Sequence, residues 1–344
     1  MKKINSRKIE HRQIANDRAI HFHELTTGFE DYHFIHNALP EIDFGEIDIR
    51  TDFLGYQLKA PLMISSISGG DARSQALNKD LAVAASQAGI ALTLGSIRPA
   101  LENKDCLGSY RIARDIAPDI PIIANIGASQ IVKQYKTQQL IKVLKQIGAD
   151  ALSIHLNPLQ EALQPEGEPH FKGVSRAIEI LRETLPYPII VKEIGFGLSL
   201  DVIKRLQKMG IQWIDVAGAG GTSWSRIEHH RTVSEEKRAV AAQFFEWGIA
   251  TTEAIRNALK AKQLNIIASG GIDTGLKFAK AIALGAEIAG AAKSFLQTWN
   301  RDGVPGICEL IRVFAETLRI AMFCTGCQNL EKFRGNKAII TYRK

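Results

Sequence analysis

The chain has 344 residues, 45% of them hydrophobic and 23% charged. That is an ordinary globular composition, and it excludes a disordered chain, a coiled coil and a collagen. The net charge of +7 is concentrated at the ends: residues 1–12 and 331–344 each carry five basic and one acidic residue, so the 318 residues between carry a net −1.

A neutral body argues against a nucleic-acid surface, and the basic ends read as solvated tails. No run approaches about 18 uninterrupted apolar residues, so no membrane insertion is expected. The charged N-terminus has no apolar stretch behind it, unlike a secretory signal.

The first 40 residues read as a polar arm. His21, His23, His33 and His36 lie in it and are expected at the surface, because His-x-His outside a strand is a weak metal signal. Gly45–Phe53 and Tyr56–Ala60 then read as a hairpin across Leu54-Gly55, placed to plug the bottom of a barrel.

From about residue 60, short apolar runs alternate with helical patterns. The runs are Leu62–Ile67, Ala91–Leu94, Ile122–Asn125, Ala151–His155, Ile189–Glu193, Ile214–Ala217, Asn265–Ser269 and Ile288–Ala291. Their continuous Ile, Val and Ala content suits parallel strands buried on both faces. Gly89, Gly148, Gly210 and Gly285 each follow a helical pattern and precede a strand, as helix stops do. Eight strand–helix units predict an α/β fold, a (β/α)8 TIM barrel with an N-terminal arm and hairpin. A doubly wound open sheet is the runner-up. The expected organisation is arm and hairpin over 1–60, barrel over 61–330 and a basic C-terminal tail over 331–344. The span 218–248 is long for a strand-to-helix loop and reads as a lid.

Four cysteines in so long a chain suggest a reducing, cytoplasmic setting. Cys324-Thr325-Gly326-Cys327 offers two thiols where zinc wants four ligands, and it closes a helical pattern rather than following a strand. Neither a metal nor a redox role is expected there.

In a barrel, reactive groups project from the C-terminal ends of the strands. Small and polar residues gather at that end of all eight runs, among them Ser65-Ser66-Ile67-Ser68, Gly95-Ser96-Ile97-Arg98, His155-Leu156-Asn157, Gly220-Gly221-Thr222 and Ser269-Gly270-Gly271. Glycines after strands six and seven, with Thr222 and Lys293 nearby, suggest a phosphate site. Lys192 ends a buried strand and must be paired or neutral. It could be a Schiff-base nucleophile, a cation beside a cofactor, or the partner of Glu193. Alternation along a strand weakens the last option.

These residues resemble those of the type 2 isopentenyl diphosphate isomerases over nearly the whole chain. The resemblance rests on Arg7-Lys8-Ile9-Glu10-His11, Ser68-Gly69-Gly70, Gly95-Ser96-Ile97-Arg98, His155-Leu156-Asn157-Pro158-Leu159-Gln160-Glu161, Lys192-Glu193-Ile194-Gly195, Gly220-Gly221-Thr222-Ser223-Trp224 and Ala268-Ser269-Gly270-Gly271. It implies interconversion of isopentenyl and dimethylallyl diphosphate in isoprenoid biosynthesis, using reduced FMN, Mg²⁺ and NAD(P)H as reductant, and a homo-oligomer.

Carried over by motif, Ser66, Ile67, Ser68, Ser96, Asn125 and Lys192 would line the flavin ring. Thr222, Gly270, Gly271, Asp273, Ala291 and Ala292 would surround its phosphate. Arg7, Lys8, Ser96, Arg98, His155, Asn157 and Gln160 would hold the substrate, and Glu161 the metal. Gln160, His155 and Lys192 would serve catalysis. The family pattern places arginine where this chain has Asp273, glycine at Lys293 and proline at Ala250.

The alternative is another FMN-dependent barrel oxidoreductase, of the 2-hydroxy-acid oxidase kind. That chemistry wants a His-Gly-Gly element and an arginine after strands six and seven, and this sequence has neither. An IMP-type dehydrogenase would want a cysteine after strand six, and none lies between Cys106 and Cys308. A non-enzymatic binding protein would need neither Glu161 nor Lys192.

Overall fold

The computed structural model describes residues 10, 11, 14, 20–133 and 135–343. Eight parallel strands close into a barrel: β1 (Leu62–Ile64), β2 (Ala91–Ser96), β3 (Ile122–Gly127), β4 (Ala151–His155), β5 (Ile189–Lys192), β6 (Trp213–Asp215), β7 (Asn265–Ala268) and β8 (Ile288–Ala291). β8 pairs back onto β1, Ala291 opposite Ile64, so the sheet has no edge and the open-sheet alternative is excluded.

Alternation divides each apolar run between two cores. Met63, Ala91, Ile123, Ala151, Ile190, Ile267 and Ile288 point into the barrel. Ile64, Leu92, Ile122, Leu152, Val191 and Ile214 point outward under the helices. Both faces are buried, which is why the runs are continuous rather than alternating. Gly89 and Gly148 end their helices with φ of +63° and +70°. That left-handed conformation strains any side chain with a Cβ, so the stops fall at glycine.

The hairpin forms over the shorter strands Thr51–Phe53 and Tyr56–Leu58. Phe53 and Leu58, each 1% exposed, join the inward-pointing barrel residues and close its lower end. The C-terminal segment is not a free tail. Ile340–Tyr342 pairs antiparallel with Tyr32–Phe34, and Phe333 is buried against Phe34. The arm is less polar than its composition suggests, since Ile20, Phe22, Phe29 and Tyr32 are buried. The 218–248 span is largely helical, with helices Trp224–Arg231 and Glu235–Ala242. No helix among the described residues is long and apolar enough to cross a membrane.

Candidate active site

The C-terminal ends of the strands open into one cavity of about 440 Å³, within the range of small-molecule sites. Every described residue that the resemblance assigns to flavin, phosphate, substrate or metal lines it. Ser66, Ile67 and Ser68 come from the β1 end, Ser96 and Arg98 from β2 and Asn125 from β3. His155, Asn157, Gln160 and Glu161 follow β4, and Lys192 ends β5. Thr222 follows β6, Gly270, Gly271 and Asp273 follow β7, and Ala291 and Ala292 end β8. Arg7 and Lys8 lie outside the described residues.

The β4 loop is the densest part. Pro158 starts helix Pro158–Leu163, pre-set for a first turn. One turn brings Asn157, Gln160 and Glu161 to a single face. Asn157 Nδ2 donates to Gln160 Oε1 at 2.9 Å and to Glu161 Oε1 at 3.0 Å. Glu161 Oε2 accepts the Glu168 amide at 2.7 Å. Asn157 Oδ1 is buried without a partner among the described residues, at a cost on the order of 1–3 kcal/mol unless a ligand meets it. His155 Nδ1 lies 3.0 Å from Asn125 Oδ1, which fixes the ring.

Glu228 was not singled out from the sequence, yet it anchors this cluster. It is fully buried and accepts from Gln160 Nε2 at 3.1 Å and Arg231 Nη1 at 2.6 Å, and lies 2.9 Å from His11 Nε2. Burial pushes its carboxyl up, but His11, Arg231 and Gln160 outweigh that and hold it below the usual range. Helix Trp224–Arg231 thereby ties the arm to the reacting end of the cavity. Its Arg231 also pairs with Glu166 at 2.6 Å and Glu10 at 3.1 Å.

Lys192 and Glu193 do not pair through their side chains. The Lys192 ammonium donates to the Glu193 backbone carbonyl and stands opposite Asp215 across the β5–β6 ladder. The Glu193 carboxylate turns away and accepts the Ile194, Gly195 and Phe196 amides at 2.6, 2.7 and 2.5 Å. Burial pushes Glu193 up to about 7, against those amides and Lys192, which pull it down. Burial also raises Asp215, against Lys192 and the Ser269 hydroxyl at 2.7 Å.

Arg98 donates to Glu102 at 2.7 Å and, bidentately, to Glu168 at 3.0 and 2.9 Å. Burial would lower the guanidinium, but the two carboxylates outweigh it and raise it further. After β7, Asp273 is ion-paired with Lys277 at 2.8 Å and is half exposed. His21, expected at the surface, instead lines the cavity 2.7 Å from Lys293. His23, His33 and His36 are exposed.

The chain matches the family model described as FMN-dependent dehydrogenase over residues 1–103 and 124–340. The isopentenyl-diphosphate delta-isomerase of Thermococcus kodakarensis is 41% identical over 342 residues, covering 97% of this chain and 91% of that protein. The one from Stutzerimonas stutzeri is 44% identical over 330 residues, covering 96% and 95%. That of Pseudescherichia vulneris is 42% identical over 333 residues, covering 96% of each. Among solved structures, a flavocytochrome b2 double variant with sulfite bound superposes with a TM-score of 0.68 at 17% identity, covering 96% of this chain and 82% of that one. A mandelate oxidase variant with (S)-mandelic acid gives 0.62 at 16%, covering 95% and 89%. At such identities these two share the fold alone. The chain belongs to the FMN-dependent dehydrogenase family and, within it, to the type 2 isopentenyl-diphosphate delta-isomerases.

Proposed function

We propose that this protein interconverts isopentenyl and dimethylallyl diphosphate, with reduced FMN and Mg²⁺ at the barrel mouth and NAD(P)H as reductant. The observation that carries the reading is convergence: all described residues assigned to ring, phosphate, substrate and metal border one cavity. The curated relatives favour it over hydroxy-acid oxidation.

The residues fit the groups. Gly221 and Gly271 pack so closely that a Cβ on Gly221 would lie 2.5 Å from Gly271 N, so main chain forms the cavity wall there. Glu161 is a single buried carboxylate, and no group of three or more His, Cys, Asp or Glu among the described residues could hold a metal alone. That suits Mg²⁺ completed by diphosphate oxygens. Reduced FMN, when bound, supplies the acid–base chemistry that moves the alkene proton. Lys192 places positive charge at the ring edge. Asn157 and Glu228 hold the Gln160 amide from both sides, so it meets the alkene in one orientation. His155, fixed by Asn125, and Arg98, with Arg7 and Lys8 from the arm, hold the diphosphate. The diphosphate must share Arg98 with Glu168 or displace it.

The test is an isomerisation assay on purified protein with isopentenyl diphosphate, FMN, Mg²⁺ and NADPH, omitting one at a time. Product should form only with all three additions present. Turnover of a 2-hydroxy acid with no isomerisation would overturn the reading.

A further inference from the structure

At the ends of the last strands, the loops after β6 and β7 and the start of helix Lys293–Phe323 line the cavity together. Two basic side chains converge there. Lys293 Nζ lies 2.7 Å from His21 Nε2, and both face the cavity. His21 belongs to the N-terminal arm, but its backbone bridges antiparallel to Thr222, so the ring is held against the glycine-lined wall.

A lysine ammonium has donors only. The His21 Nε2 therefore accepts, and the ring is neutral in this arrangement. Burial, then Lys293, hold His21 below its ordinary value, against a hydrogen bond to the Gly221 backbone and the charge of Asp273. The other cation facing it is Lys277, whose charge is offset by its ion pair with Asp273. Lys293 places a positive charge directly beside the ring. An entering dianion reverses the balance that keeps the imidazole neutral.

We propose that His21 and Lys293 together clamp the terminal phosphate of the bound flavin mononucleotide, and that His21 takes up a proton as the phosphate enters. This rests on reading the cavity as a flavin site. Lys293 turns an N–H from Nε2 to a phosphate oxygen. Nε2 takes a proton from solvent and becomes a second donor to the phosphate. Two positive charges then face a group of about −2. The arm becomes part of the cofactor site, and Lys293 and His21 supply the charge that Asp273, turned to Lys277, does not.

Calorimetric titration of flavin-free protein with FMN at pH 8, in two buffers of different ionisation enthalpy, reads the protons exchanged. A phosphate monoester with a second pKa of about 6 is already dianionic there, so uptake cannot arise from the ligand. Between about half and one proton should be taken up per FMN, and the Kd should rise by up to about ten-fold per pH unit in that region. His21→Gln should take up none and bind with a flat pH profile. Lys293→Gly should weaken FMN about ten-fold at low salt. Riboflavin, which lacks the phosphate, should bind the parent without proton uptake; this arm decides if His21→Gln fails to fold. FMN binding without proton uptake would overturn the clamp and leave the flavin reading standing. Binding of neither FMN nor riboflavin would overturn the flavin reading and the clamp with it.

Discussion

Glu161 shows how a single charge can be isolated from its scaffold. Its oxygens accept from Asn157 and from the Glu168 amide, and glutamine keeps the size and one carbonyl acceptor. Glu161→Gln should therefore leave the loop folded and flavin binding intact while removing the carboxylate proposed to hold Mg²⁺. Isomerisation should fall on the order of 100-fold. Initial rates across a Mg²⁺ titration, read beside the flavin absorbance, check this; loss of FMN along with the rate would make Glu161 structural. The β4 stretch was legible because its four candidate site residues are local, within one loop and one helical turn. His21 and Glu228 were not. Glu228 meets His11 across 217 positions of sequence, and His21 meets Lys293 across 272. Neither has a neighbour in sequence that signals its role.

At the scale of elements, the 218–248 span shows why a helix can hide. Helix Trp224–Arg231 buries Arg226 and Glu228 beside Ile227, so its inward face carries charge and no apolar stripe marks it. In the helix after it, Ser234 caps the start by accepting the Lys237 amide, and Glu235 and Glu236 fill the first turn. Glu246 then binds the arm to this region by accepting the Leu25 and Glu24 amides at 2.9 and 3.0 Å. Beyond it, Ala250 precedes helix Thr251–Leu259 with φ of −53°, close to the value a proline ring imposes. It bridges parallel to Ala219 through the flanking Ile249 carbonyl and Thr251 amide, so its own amide is not needed. Ala250→Pro should raise stability by about 0.4–1 kcal/mol through a less free unfolded chain. Urea unfolding of the two proteins would show it, and a lower midpoint for the variant would mean that the ring clashes.

For the molecule as a whole, closure of the barrel depends on its plug. Phe53 is 1% exposed and packs edge-on to Trp213 at 4.9 Å between ring centroids, among inward residues of β1 to β8. Phe53→Ala should cost about 3–5 kcal/mol, seen as a lower thermal midpoint. The cavity lies at the opposite end of the strands, so flavin affinity below that midpoint should change little. A shift of only a few tenths of a kcal/mol would mean that the hairpin lies on the barrel without filling it.

The sequence by itself determined the barrel, because eight doubly buried strands leave eight continuous apolar runs and helix ends leave glycines where φ turns positive. It also placed the strand-end residues, since each sits in the few positions after its own strand. Only the tertiary structure decided that Lys192 stands beside Asp215 on the neighbouring strand, that Glu168 holds Arg98, and that the arm's His21 and His11 reach Lys293 and Glu228. Those pairings are contacts between segments far apart in the chain. Their partners are chosen by barrel closure and loop packing, which no local pattern of residues encodes.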